Sequence, residues 1–121
     1  MRVYFVNGYK FPGEVRKAIR LIAKRSQDAC LEIMGAYPFI EVIHAMDEDE
    51  IRKDSMGDGG AGYMEIQGNR IKIAIAPNLT PYRSAEVWVE EQAHAIDPSL
   101  SENVVRNHIV PAIMKRALAR S

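Results

Sequence analysis

Three side chains in the run EVWVEEQAHAID, from Glu86 to Asp97, have types and spacing that could do chemistry together: Glu90, Glu91 and His94. Residues four apart on an α-helix lie one above the other, so Glu90 and His94 could reach a single ion while Glu91 projects beside them toward a water. A carboxylate oxygen ligates zinc at roughly 2.0–2.2 Å, which makes Glu90 an acceptable partner for the imidazole of His94. A neighbouring carboxylate that is not a ligand is a suitable general base. The same residues also form an ordinary polar helix face, with Val87, Val89, Ala93 and Ile96 supplying apolar surface. A carboxylate–histidine pair at this spacing needs no metal to be favourable.

The elements that must position these groups are legible in the flanking sequence. RVYFV, residues 2–6, is rich in strand formers and stops at Asn7-Gly8, which predicts a first strand. From Pro12 to Met34 the apolar positions Val15, Ala18, Ile19, Ile22, Ala29, Cys30 and Ile33 recur at helical steps. Proline at the start and Gly35 at the end predict one long amphipathic helix. FIEVIHA, residues 39–45, predicts a second strand, with His44 a hydrogen-bonded core or cleft residue. The charged, glycine-containing stretch 47–60 reads as a loop with one short helical turn. Residues 61–67 and 70–76 predict a hairpin around Gly68-Asn69. Thr80-Pro81 is a helix opening, and the helix must stop near Pro98. A last helix from Ser101 to Leu118 should be kinked or divided at Pro111.

Length and composition bound the rest. A chain of 121 residues, 47% hydrophobic and 26% charged, is expected to form one packed domain, residues 1–121. Sixteen basic and sixteen acidic residues cancel, so the net field gives no attraction to nucleic acid or to an anionic membrane. No stretch approaches the roughly 18 apolar residues of a membrane span. The single cysteine, Cys30, cannot form an internal disulfide, and a cytoplasmic location is the expectation.

With Glu91 and His94 in register, EExxH is the frame of the HExxH zinc-peptidase helix with the first ligand position changed to Glu90. The surrounding stretch, AGYMEIQGNRIKIAIAPNLTPYRSAEVWVEEQAHAIDP at residues 61–98, resembles small zincin-type metallopeptidase domains of bacteria and phages. In those domains a strand pair with a glycine turn leads through a proline-containing loop to a helix of the type HELAHALD. The resemblance covers about a third of the chain. It implies an α+β, zincin-like minimal fold: a long helix packed on a small mixed sheet with an edge hairpin, then the motif helix and a C-terminal helix. It also implies zinc as cofactor, His94 and Glu90 as ligands, and Glu91 as the base for hydrolysis of a peptide or protein. The third ligand is left open among Glu102, which matches the later-helix glutamate of gluzincins, Asp97 and His108. An anion in place of a neutral imidazole lowers the Lewis acidity of a bound ion, so altered or lost peptidase activity is expected. A non-catalytic protein-binding module is the alternative, acting in the host cytoplasm if the chain is phage-encoded.

Three further features carry expectations. Tyr63 lies on the strand expected to border the cleft, whose free edge could bind an extended peptide or a second copy of the chain. Arg16, Lys17, Arg20, Lys24 and Arg25 give the first helix a basic stripe. It reads as a solvated face more than as a phosphate contact, since no aromatic residues interleave with it. Trp88 and Tyr82 read as packing residues, and GDGGAG, residues 57–62, lacks the lysine and helix of a phosphate loop.

Overall fold

The computed structural model describes residues 3–36, 41–45, 48–54, 60–68 and 70–119. Strand β1 (Val3–Val6) is followed by a 3₁₀ turn at Gly8–Lys10 and by two helices, α1 (Gly13–Arg25) and α2 (Gln27–Met34). Then come β2 (Glu41–Ala45), α3 (Glu48–Asp54), β3 (Gly62–Gln67), β4 (Arg70–Ile75) and the motif helix α4 (Pro81–Ile96). The last segment is α5 (Glu102–Val104), a π-helical turn (Val105–Ile109) and α6 (Val110–Ala119).

The four strands form one mixed sheet in the order β1-β2-β4-β3. β1 runs parallel to β2 and β2 parallel to β4, while β3 pairs antiparallel with β4 through the expected hairpin and lies at the sheet edge. Alternation along β4 assigns its two faces. Ile71, Ile73 and Ile75 join the main core with Val15, Ile19 and Ile22 of α1, Val87, Trp88 and Val89 of α4, and Val110, Ile113 and Ala117 of α6. Ala74 and Ala76 face the other way, onto Ile51 of α3. Trp88 is fully buried, and truncating such a residue to alanine typically costs about 3–5 kcal/mol.

The long helix expected over 12–34 is broken at Ser26, a buried residue that caps α1 and opens α2. The apolar stripe runs on through the break, which is why periodicity alone gives one helix. Gly35 ends α2 at φ 76°, as expected of a glycine C-cap. The expected short turn in 47–60 is a seven-residue helix, α3. Residues 55–59, the first half of the GDGGAG run among them, lie outside the described residues, as do residues 37–40 and the side chain of His44.

The last helix is divided as expected, but just ahead of Pro111: the π-helical turn Val105–Ile109 interrupts it, and Pro111 lies in the first turn of α6. Proline has no N–H to offer the preceding turn. Just ahead of it, the Val110 N–H reaches back five residues to the Val105 carbonyl. The buried stripe follows the same step of five, Val105 to Val110, and then continues through Ile113, Met114 and Ala117. In a regular α-helix Arg106, four residues before Val110, would share that buried stripe. The π turn rotates it away, and Arg106 is free to face α4.

Candidate metal and base site

α4 opens as its sequence dictates. Thr80 is the N-cap and accepts from the Arg83 N–H at 3.2 Å, Pro81 fills the first turn, and the Ser84 hydroxyl donates to the Thr80 carbonyl at 2.9 Å. The helix lies under the edge strand β3 and against α1, and it is buried almost all round between Ser84 and Ala95. Glu90 and Glu91 are therefore not a solvated polar face: they are 6% and 7% exposed.

A cleft of about 430 Å³ opens between β3 and the C-terminal half of α4. Its walls include Gly62 and Met64 of β3, Val87, Glu90, Glu91 and His94 of α4, and Glu102 and Arg106 of the last helical segment. The turn at residues 97–101 brings Glu102 back over the motif helix. Ser101 caps α5 by accepting from the Val104 N–H at 3.2 Å. This places Glu102 Oε1 2.8 Å from His94 Nε2. The pair is close but not aligned as a hydrogen bond, for the buried Nε2 has no hydrogen-bond partner.

Donor atoms of Glu90, His94 and Glu102 all lie within 4.8 Å of one another. One imidazole and two carboxylates are a zinc-type ligand set. A buried ring nitrogen left without a hydrogen bond, facing a carboxylate oxygen, fits a shared cation better than it fits a finished polar network. Of the three open choices for a third ligand, only Glu102 joins this group. Asp97 is committed to its own turn, its Oδ1 accepting from the Ser99 N–H at 3.1 Å and the Ser99 hydroxyl at 2.6 Å. His108 is exposed in the π turn and absent from the cleft wall.

Compared with family models, curated proteins and solved structures, the chain matches none of them.

Electrostatics single out Glu91. Burial, followed by the nearby Glu90 and Glu102 carboxylates, pushes its pKa up to about 8, against a smaller opposing effect of Arg106. Burial is the larger cause, and the repulsion of Glu90 and Glu102, only partly offset by Arg106, adds to it and leaves Glu91 short of positive charge. A divalent cation among Glu90, His94 and Glu102 would supply that charge and make the carboxylate form of Glu91 the favoured one.

Arg106 was not anticipated from the sequence. Its Nε donates to Glu90 Oε1 at 2.9 Å, and its terminal nitrogen lies 3.0 Å from Glu102 Oε2, the oxygen other than the one that faces His94. Both contacts raise the Arg106 pKa, with the Glu90 hydrogen bond the largest cause. A five-residue apolar step, Val105 to Val110, followed by Pro111 is the sequence signal that points to it.

Tyr63 reaches the cleft as part of the edge strand. Its ring packs on the opposite face, against the cluster of Ile51, Ala74 and Ala76, with Lys72 Nζ 5.6 Å from the ring centroid. Strand alternation is the reason: Gly62 and Met64 face α4, and Tyr63 between them faces α3. Trp88 is a packing residue as expected, but Tyr82 is not. It is 55% exposed and flanks a shallow apolar groove with Leu21 and Leu118. On α1, Lys17, Arg20 and Lys24 are exposed, and the Arg20 guanidinium lies 4.9 Å from the centroid of the Phe5 ring. Among the described residues no helix is long and apolar enough to cross a membrane.

Proposed function

We propose that this chain is a zincin-like domain derived from a metallopeptidase. In this reading Glu90, His94 and Glu102 hold zinc, Glu91 is the general base, and the free edge of β3 holds an extended peptide. The observation that carries the reading is the convergence of those four side chains in one cleft beneath an edge strand. Zinc bound there would supply Lewis acidity toward a carbonyl and toward water. Glu91, buried beside the ligand group, takes up the proton that the attacking water must lose. Backbone groups on the open side of β3 align the substrate chain by strand addition, and Gly62 keeps that strand close to the base.

Two carboxylate ligands make the centre a weaker Lewis acid than a two-histidine site, so hydrolysis is expected to be slow. The test is cleavage of an unfolded protein by zinc-loaded chain beside its Glu91→Gln variant. Zinc-dependent cleavage that disappears in the variant supports the reading; equal rates in the two would sink it.

A second reading is favoured by Arg106, which satisfies Glu90 and Glu102 with no metal at all. In that case the chain is a non-catalytic protein-binding module that keeps the cleft and the β3 edge for a partner. It predicts a stable metal-free fold that binds an extended peptide without cutting it, with binding lost when β3 is broken by Ile66→Pro.

A further inference from the structure

The contacts of Arg106 go beyond support for a metal site, because they occupy the carboxylates that would bind the metal. We infer that Arg106 is an intramolecular competitor of the divalent cation: its guanidinium stands in for the ion in the metal-free chain and must release Glu90 and Glu102 when the ion binds. The inference rests on the assignment of Glu90, His94 and Glu102 as the ligand group.

Three observations carry it. First, Arg106 engages both candidate carboxylate ligands at once, its Nε 2.9 Å from Glu90 and a terminal nitrogen 3.0 Å from Glu102, a bridge that the several fixed donors of a guanidinium allow. Second, the two Arg106 contacts are with the carboxylates, while His94 Nε2, 2.8 Å from Glu102 Oε1, is buried and without a hydrogen bond. A guanidinium has no acceptor and no lone pair, so it can replace the charge of a metal ion but not its bond to an imidazole nitrogen. Third, the side chain of Arg106 is 62% exposed and that of Glu90 only 8%. The arginine can swing into water at little desolvation cost, whereas the carboxylate it leaves behind cannot follow. The π turn before Pro111 is the backbone device that aims Arg106 at the cleft.

Removing the guanidinium should raise metal affinity for two reasons of the same sign. Its repulsion of the incoming cation disappears, and the unliganded site loses the counter-charge that stabilised it. A residue that merely held the ligands in place would give the opposite result, because loss of such support typically weakens metal binding by about 10–100-fold.

The test is zinc affinity, measured by competition with a chromophoric chelator, for the unaltered chain, Arg106→Gln and Arg106→Lys. Arg106→Gln should bind at least tenfold more tightly, and Arg106→Lys, which keeps the charge but loses the bridge, should fall between. The lysine variant also serves if the glutamine variant folds only with zinc. Equal or weaker binding by Arg106→Gln, with zinc still bound by the unaltered chain, overturns the competitor role and leaves the metal site standing. Zinc bound by the variant but not by the unaltered chain supports the competitor role and removes the metalloenzyme reading of the native protein. Zinc bound by none of the three overturns both.

Discussion

Gly62 of β3 and Val87 of α4 stand so close that a Cβ built on the glycine would lie 2.4 Å from Val87 Cγ1, and 2.8 Å from the Ala74 carbonyl oxygen. No side chain larger than hydrogen fits there without displacement of strand or helix. The approach seats the edge strand directly over Glu91, whose Cγ would be 3.8 Å from the same Cβ. Gly62→Ala should therefore destabilise the fold by about 1–3 kcal/mol, the usual cost of overpacking, and lift β3 from the cleft floor. Urea unfolding checks the first effect. Faster amide exchange in β3 checks the second, and an unchanged midpoint and exchange pattern would show that the contact is not tight.

Glu91 gives a pH signature to the metal-free protein. A carboxyl whose pKa is raised by folding, here from 4.5 to about 8, favours the folded state while it is protonated. That advantage is complete below about pH 4.5 and is lost as pH rises toward 8. In chelator, the unaltered chain should lose stability relative to Glu91→Gln between pH 5 and pH 9, by an amount on the order of a few kcal/mol. Parallel stability curves for the two proteins would contradict the buried, protonated carboxyl.

Zinc binding should release protons from the same group. At pH 7 the metal-free Glu91 still carries most of its proton, and a cation beside it favours the ionised form. Calorimetric titration with zinc in buffers of different ionisation enthalpy should report close to one proton released per ion, and clearly fewer for Glu91→Gln. The same count in both proteins would assign the proton elsewhere.

Cys30 is predicted to be inert in the native state. Burial pushes its thiol pKa up to about 11, and it is 1% exposed. A thiol reagent at pH 8 should modify it only as fast as the protein opens, with one thiol per chain appearing at once in denaturant. Rapid native labelling would place it outside the core.

Asp97 and Glu102 separate support from ligation. Asp97→Ala removes the acceptor for two Ser99 donors and should cost about 1 kcal/mol while leaving zinc affinity unchanged. Glu102→Ala should lower zinc affinity with little effect on stability, since that side chain is 60% exposed. The reverse pattern would exchange the two roles.

How far the sequence could be read depended on the range of each signal. The motif face of α4 was legible because Glu90 and His94 are one helical turn apart, and the hairpin because Gly68 breaks two alternating runs. Buried carboxylates were not legible. Polar residues on a helix are expected to face water, and the burial of Glu90 and Glu91 depends on β3 and the last helix closing over them. Glu102 was reached only through a resemblance, since nothing local says that the turn at 97–101 reverses the chain. Arg106 was missed because a regular helical period puts it on the core stripe, and only the π turn moves it. Tyr63 was assigned to the right strand, but the face its ring takes follows from the register with Ala74.

That Glu90, His94 and Glu102 form a zinc site is tested most directly by elemental analysis of protein purified without chelator or an affinity-tag metal, beside its His94→Ala variant. About one zinc per unaltered chain, lost in the variant while the fold persists, is the predicted result. Folded protein with no metal in either sample would contradict it and leave the cleft as a binding surface held together by Arg106.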